Sequence, residues 1–96
     1  MPIYILVTKF KQFDFAARKQ QGQEFLKLVK EKVPTIKWIA HYAILGPYDF
    51  LDIFEAKNEI EAAKVSLLSR STGASFAESW TAISYPEFLT LVEEIK

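Results

Sequence analysis

The sequence contains no cysteine and no excess of either charge. The missing cysteine excludes disulfide bonds, thiolate metal sites and catalysis by a cysteine nucleophile, and it is typical of a cytoplasmic protein. Lys and Arg number 12, as do Asp and Glu, so little draws the chain to phosphate backbones and we expect no binding to nucleic acid. The first apolar run is too short to cross a bilayer and we recognise no basic leader before it, so we expect no contact with a membrane.

Motifs for common chemistry are also missing. We find neither a glycine-rich phosphate loop nor a nucleophile elbow, and His41 is the single histidine. One histidine without cysteine is a poor set of ligands, even with Asp52 and Glu78 beside it, so we expect neither a metal ion nor a haem. No cofactor is predicted.

Aromatic residues, in contrast, are abundant: eight Phe, four Tyr and two Trp in 96 residues. Residues 1–96 can form one small domain, whose limited interior cannot hide so many large side chains. A second buried surface is therefore predicted, and pairing with another copy of the chain supplies it. We expect a homodimer, and a higher oligomer remains an alternative.

Apolar periodicity and turn residues predict seven elements. Strands are predicted at residues 3–8, 35–45, 48–56 and 75–84, and helices at 14–33, 58–72 and from 86 onwards. Asp14 is the predicted cap of the first helix, and Asn58 with Glu61 fits a capping box for the second. The order βαββαβ with a short C-terminal helix is that of the ferredoxin-like α+β fold, in which two helices cover one face of a four-stranded antiparallel sheet.

The second and third strands form a hairpin whose register can be predicted. Gly46-Pro47 breaks the chain between them, and a two- or four-residue connection makes His41 face Asp52. The neighbouring pairs are then Ala43 with Phe50 and Ile39 with Phe54. Since side chains alternate across a strand, these residues share one face. The other face is more uniformly apolar, and we assign it to the helices; it carries Trp38, Ala40, Tyr42, Ile44, Leu51 and Ile53.

The face that the helices leave open would then carry several aromatic residues and a few polar ones. Extended to the first and fourth strands, it is expected to include Tyr4, Thr8, His41, Phe50, Asp52, Phe54, Phe76, Glu78 and Trp80. Such a face is not a solvated surface. It indicates a dimer interface that can enclose a pocket for a small apolar ligand.

His41 and Asp52 are the main candidates for chemistry. A carboxylate beside the imidazole fixes its tautomer, so His41 could act as an oriented general base. The alternative is a satisfied polar pair in a dimer interface. Glu78, beside Trp80, is either an acid or base in an apolar setting or one half of an interface salt bridge.

Tyr48 and Asp49 follow the hairpin break. In the structural interpretation Asp49 accepts hydrogen bonds from nearby backbone N–H groups, while Tyr48 covers the end of the hairpin. In the functional interpretation the two residues form the rim of a pocket or the seam of a dimer.

The segment Gly46-Pro47-Tyr48-Asp49 resembles the G-x-Y-D signature of the GYD domain family. The similarity continues through residues 54–58 (FEAKN) and reaches Gly73, which is followed by Glu78-Ser79. The resemblance implies a ferredoxin-like chain that forms a dimeric α+β barrel, with the two sheets packed face to face. Structural relatives of the family include cofactor-free monooxygenases, muconolactone-isomerase-like enzymes, haem-dependent peroxidases and ligand-sensing domains, and fold alone does not choose among them.

Three functions therefore stand side by side. The favoured one is a homodimeric module, not an enzyme, that binds a small ligand or takes part in assembly. The second is a small cofactor-free enzyme, monooxygenase- or isomerase-like, which would use His41, Asp52 or Glu78 and would need a pocket of at least about 300 Å3. The third is a stand-alone ligand-sensing regulatory domain.

Overall fold

The computed structural model describes residues 1–11 and 15–96, so the predicted helix cap at Asp14 lies outside the described residues. Its elements follow the predicted order closely. They are β1 (Ile3–Lys9), α1 (Phe15–Lys32), β2 (Lys37–Ala43), β3 (Phe50–Glu55), α2 (Glu59–Ser71), β4 (Phe76–Ala82) and α3 (Tyr85–Ile95).

The four strands form one antiparallel sheet in the order β2-β3-β1-β4. Helices α1 and α2 pack on one face of it, where Val29 of α1 and Val65 of α2 meet Leu6 and Phe54 of the sheet. This arrangement confirms the ferredoxin-like α+β fold. None of the helices in the described part of the chain has the length and apolarity needed to cross a membrane.

The predicted register of the β2–β3 hairpin is confirmed near the turn and wrong further away. His41 lies opposite Asp52, and Ala43 lies opposite Phe50. A β-bulge then places Trp38, rather than Ile39, opposite Phe54. The extra residue in β2 reverses the sides of the sheet to which its earlier side chains point.

The predicted assignment of the sheet faces is wrong for β1 and for the hairpin except Trp38, which packs against Phe25 of α1 as predicted. The β1 and hairpin residues that were expected on the open face lie on the helix side instead, among them Tyr4, Thr8 and Phe54, and Phe54 is fully buried. The physical reason is size: α2 approaches the sheet with small side chains such as Ala62, and this leaves room for stacked aromatic rings on that side. The face left open carries instead the other set of the hairpin together with alternate residues of β1: Ile3, Ile5, Val7, Ala40, Tyr42, Leu51 and Ile53.

The side chains that were predicted to share the open face lie on both faces of the sheet, as the fourth strand shows. Ser79 of β4 donates a hydrogen bond to the carbonyl oxygen of Ala62 in α2, so its side chain points to the helices. Its neighbours Glu78 and Trp80 therefore lie on the open face, as does Phe76. These three residues are on the predicted face, but His41 and Asp52 are on the opposite one.

Helix α2 begins at the predicted cap. Asn58 Oδ1 accepts a hydrogen bond from the Glu61 backbone N–H at 3.0 Å, while the Glu61 carboxylate accepts from the N–H of Lys57 at 3.1 Å. Glu61 also accepts from the Thr35 hydroxyl at 2.8 Å, and this bond ties the helix to the loop before β2. The helix ends before Gly73, whose φ of 118° favours glycine.

Helix α3 stands apart from the rest of the domain. Its cap is Ser84, and Pro86 occupies the first turn. All of its side chains are exposed, and among the described residues it packs against no other helix or strand. Its exposed apolar residues include Tyr85, Phe88, Leu89, Leu91, Val92 and Ile95.

Candidate functional site

A cavity of about 580 Å3 lies between α1 and the face of the sheet that the helices cover. Leu6, Trp38 and Phe50 line it from the sheet, while Phe25 and Leu26 line it from the helix. Its volume falls within the range of about 300–1,000 Å3 that is typical of small-molecule sites. A pocket of the size that the enzyme hypothesis needs is therefore present, but it lies between the sheet and α1 and not on the open face, where the ligand pocket is expected.

Gly22 helps to explain why this space is empty. It lies in the middle of α1 and lines the cavity, and a Cβ atom built on it would meet no atom within 4 Å. Glycine is unfavourable inside a helix, by about 1 kcal/mol relative to alanine. Here it keeps the helix surface clear above the sheet.

His41 and Asp52 form a pair at this cavity. They face each other across β2 and β3, and His41 Nδ1 contacts Asp52 Oδ1. A carboxylate only accepts hydrogen bonds, so Nδ1 carries the proton and the other ring nitrogen, Nε2, is left for another partner. Asp52 is 5% exposed whereas the His41 side chain is 71% exposed, and the imidazole also stacks on Phe50 with ring centroids 5.9 Å apart.

Arg18 is a functional candidate that the sequence reasoning missed. It lines the same cavity, and its guanidinium carbon lies 3.4 Å from the centroid of the Phe10 ring, a cation–π contact. Burial lowers the pKa of Arg18, and the nearby Asp49 carboxylate opposes that shift. The sequence carries a signal for the position of Arg18. Arg18 precedes Phe25 and Val29 by seven and eleven residues, so the three residues lie on the same face of the helix.

Asp49 has the structural role that turn chemistry predicts. Its Oδ2 atom accepts a hydrogen bond from the Phe10 backbone N–H at 2.8 Å, and its own N–H donates to the Thr8 carbonyl at 2.8 Å. Its carbonyl oxygen accepts from the Ile44 N–H at 2.9 Å. Asp49 thereby fastens the hairpin to the end of β1, next to Phe10 and Phe50, which line the cavity.

The remaining predicted residues lie outside the cavity. Glu78 is exposed on the open face, where one of its oxygens accepts a hydrogen bond from Trp80 Nε1 at 2.8 Å. Tyr48 stacks on Phe76 beside them, with ring centroids 5.6 Å apart. The three catalytic candidates therefore do not form one site, because the sheet separates Glu78 from His41 and Asp52, and this geometry also prevents the three from holding one metal ion.

Tyr4 and Phe54 were expected on the binding surface and belong to the core instead. Their rings stack with centroids 5.8 Å apart, and both are buried beneath the helices. They support the floor on which Trp38 packs, since the Trp38 and Phe54 ring centroids are 5.5 Å apart.

These features define a ferredoxin-like α+β domain with a cavity on one side of its sheet and an uncovered apolar face on the other. The chain belongs to the GYD domain family, whose model matches residues 4–92. It is also similar to a Thermus thermophilus protein named glutamine synthetase and cystathionine beta-lyase binding protein. The two sequences are 30% identical over 77 residues, which cover 77% of this chain and 80% of that protein.

Proposed function

We propose that this protein is a cytoplasmic homodimeric binding module. Two copies pair through the open sheet face, and each copy holds a small, largely apolar ligand between α1 and the sheet. The observation that carries the proposal is the presence of two separate apolar surfaces on opposite sides of one sheet, a cavity beneath α1 and a face that no helix covers.

The open face has the composition of an interface. One row across the sheet consists of Trp80, Ile5, Ile53 and Ala40, and the next of Glu78, Val7, Leu51 and Tyr42. In these rows Trp80 and Tyr42 are exposed, Ile5, Ile53 and Leu51 are half-buried, and Val7 is buried. Apolar side chains exposed together on one sheet face mark a protein interaction site. A second copy of the same chain offers an equally apolar face and no net charge, so burying the two faces together meets no overall electrostatic repulsion.

Sedimentation tests the dimer. Wild-type protein at micromolar concentration is expected to sediment as a dimer, and Ile53→Lys is expected to sediment as a monomer because it places a charge at the centre of the open face. The matched control is Ile60→Lys, the same replacement at a residue of α2 that is 61% exposed. A wild-type monomer, or equal effects of the two variants, would overturn the pairing.

The name of the Thermus relative supports a role in assembly. That protein is named for binding glutamine synthetase and cystathionine beta-lyase. We extend to this chain the binding of an enzyme partner. Pull-down with glutamine synthetase and with cystathionine beta-lyase from the source organism measures this binding. Failure to retain either enzyme would remove the assembly role and leave the ligand-binding role.

A second candidate function rests on the His41–Asp52 pair. An imidazole that is oriented by a buried carboxylate and lines an apolar cavity can remove a proton from a bound substrate. A cofactor-free isomerase-like enzyme would therefore catalyse the exchange of C–H protons in D2O. Deuterium uptake by apolar ketones and acids, followed by NMR, would be accelerated by the wild type and not by His41→Gln; equal uptake with both proteins would exclude this function.

A further inference from the structure

We propose that the cavity binds a small organic acid: a single carboxylate, held by Arg18, on an aromatic or branched aliphatic body. This inference rests on the proposed ligand-binding function and specifies the class of ligand. It follows from the charges that line the cavity and from the apolar surface between them.

The charges inside the cavity favour an anion. Arg18 and Lys19 both line it, and of the carboxylates in the described ranges Asp52 is the one that does so. Asp52 is already engaged by His41. In the part of the chain that the structure describes, the cavity lining therefore has positive charge available and no uncommitted negative charge.

Among the described residues, Arg18 has no ion-paired or hydrogen-bonded partner of its own. Within residues 1–11 and 15–96, its guanidinium rests on the Phe10 ring, and no hydrogen-bond acceptor is placed on it. The charge of Asp49 raises the pKa of Arg18, but Asp49 Oδ2 already accepts a hydrogen bond from the Phe10 N–H. Burial disfavours this charge, as the lowered pKa of Arg18 reflects, so an incoming carboxylate would relieve an unfavourable arrangement.

The rest of the cavity limits the ligand to one charge and a compact apolar body. Phe25, Leu26, Trp38 and Phe50 offer only apolar or aromatic surface, which disfavours phosphates and polycarboxylates. Neutral polar side chains also line the cavity, namely Thr8, Gln23, Ser69 and Thr72. His41 Nε2 adds an acceptor for a hydrogen bond from a hydroxyl or amine of the ligand.

Calorimetric titration with three probes of one shape tests the charge: phenylacetate, phenylacetamide and 2-phenylethylamine. We expect phenylacetate to bind at least about tenfold more tightly than the amide, because a hydrogen bond to a charged group is stronger than one between neutral groups. The amine is expected to bind most weakly. Inorganic phosphate is expected not to compete with phenylacetate.

Arg18→Met is expected to weaken phenylacetate binding by about 10- to 100-fold and to leave amide binding almost unchanged. Lys30→Met, which removes a charge from the same helix away from the cavity, is the matched control. Equal affinities of acid and amide, or equal effects of the two variants, would overturn the assignment of a carboxylate.

Gly22→Leu separates this inference from the proposed function. The variant fills the cavity from a helix position that favours leucine over glycine, so the fold is expected to persist while binding of every probe is lost. If acid and amide bind equally and Gly22→Leu abolishes both, the cavity is a ligand site but not one for acids. If no probe binds while the protein remains dimeric, the acid inference fails and the paired sheet faces stand.

Discussion

At the residue scale, two glycines have opposite energetic roles. Gly73 has a φ of 118°, and a Cβ atom there would lie 2.8 Å from the Gln21 side chain. Gly73→Ala is therefore expected to lower the free energy of unfolding by about 1–3 kcal/mol. Gly22→Ala meets no atom in the middle of α1 and is expected to raise it by about 0.5–1 kcal/mol. Urea denaturation measures both, and changes of the same sign would contradict this account.

The His41–Asp52 pair also makes a stability prediction. His41 is largely exposed, yet His41→Ala is expected to cost about 1–3 kcal/mol, because it leaves the buried Asp52 carboxylate without its partner. In an Asp52→Asn background the same change should cost much less, since a neutral amide tolerates burial better than a charge. A double-mutant cycle in urea measures the coupling, and additive effects would show that the pair does not act as a unit.

At the element scale, the order and type of the elements could be predicted because each boundary carries a local signal. Pro34 ends the first helix, Gly46-Pro47 separates the two strands of the hairpin, and Asn58 with Glu61 starts the second helix. The face that the helices cover could not be predicted in this way, because both faces of the hairpin are apolar. The bulge at Ile39 leaves no mark in the alternation of side chains, so the register was predicted only near the turn.

The same limits apply to the candidate site. The pairing of His41 with Asp52 followed from the hairpin, since neighbouring strands joined by a short turn have few registers. The cavity above them depends on where α1 lies over the sheet, a tertiary feature that strand patterns do not contain. Arg18 was not predicted as a site residue because the first turns of α1 are mostly polar. The apolar stripe at Phe25 and Val29 was therefore not followed back to them.

The contact between the start of α2 and the preceding loop makes the protein sensitive to acid. The Thr35 hydroxyl lowers the pKa of Glu61 below its ordinary value by donating to the carboxylate. A carboxyl group whose pKa is lowered on folding stabilises the fold above its unfolded pKa, and this contribution is lost as the pH falls through the folded pKa. Thermal unfolding between about pH 5 and pH 3 should therefore show a smaller acid-induced loss in Thr35→Val than in the wild type. Parallel profiles would rule out this contribution.

At the scale of the whole molecule, the sheet separates the two surfaces to which the proposed function assigns binding. The cavity and the His41–Asp52 pair lie on one side, whereas Glu78, Trp80 and the apolar rows lie on the other. The proposed pairing through the open face would therefore leave the cavity accessible to a ligand. It would also stabilise β1 and β3, the central strands that carry the cavity floor on their opposite side.

Helix α3 gives the shape its length: the molecule measures 51 × 30 × 18 Å, and α3 packs on none of the other described elements. Its apolar stripe includes Phe88 and Val92, one turn apart and both exposed. We expect the second copy that pairs with the open face in the proposed dimer to cover this stripe as well. Phe88→Asp combined with Val92→Asp should then weaken self-association in sedimentation by at least about tenfold. The circular dichroism spectrum and the urea midpoint of the monomer should stay unchanged, because the domain core does not use α3.

Thr90→Asp, a charge on the polar side of the same helix, is the control and should leave association intact. Unfolding of the double variant as a monomer would instead place α3 within the core of its own chain.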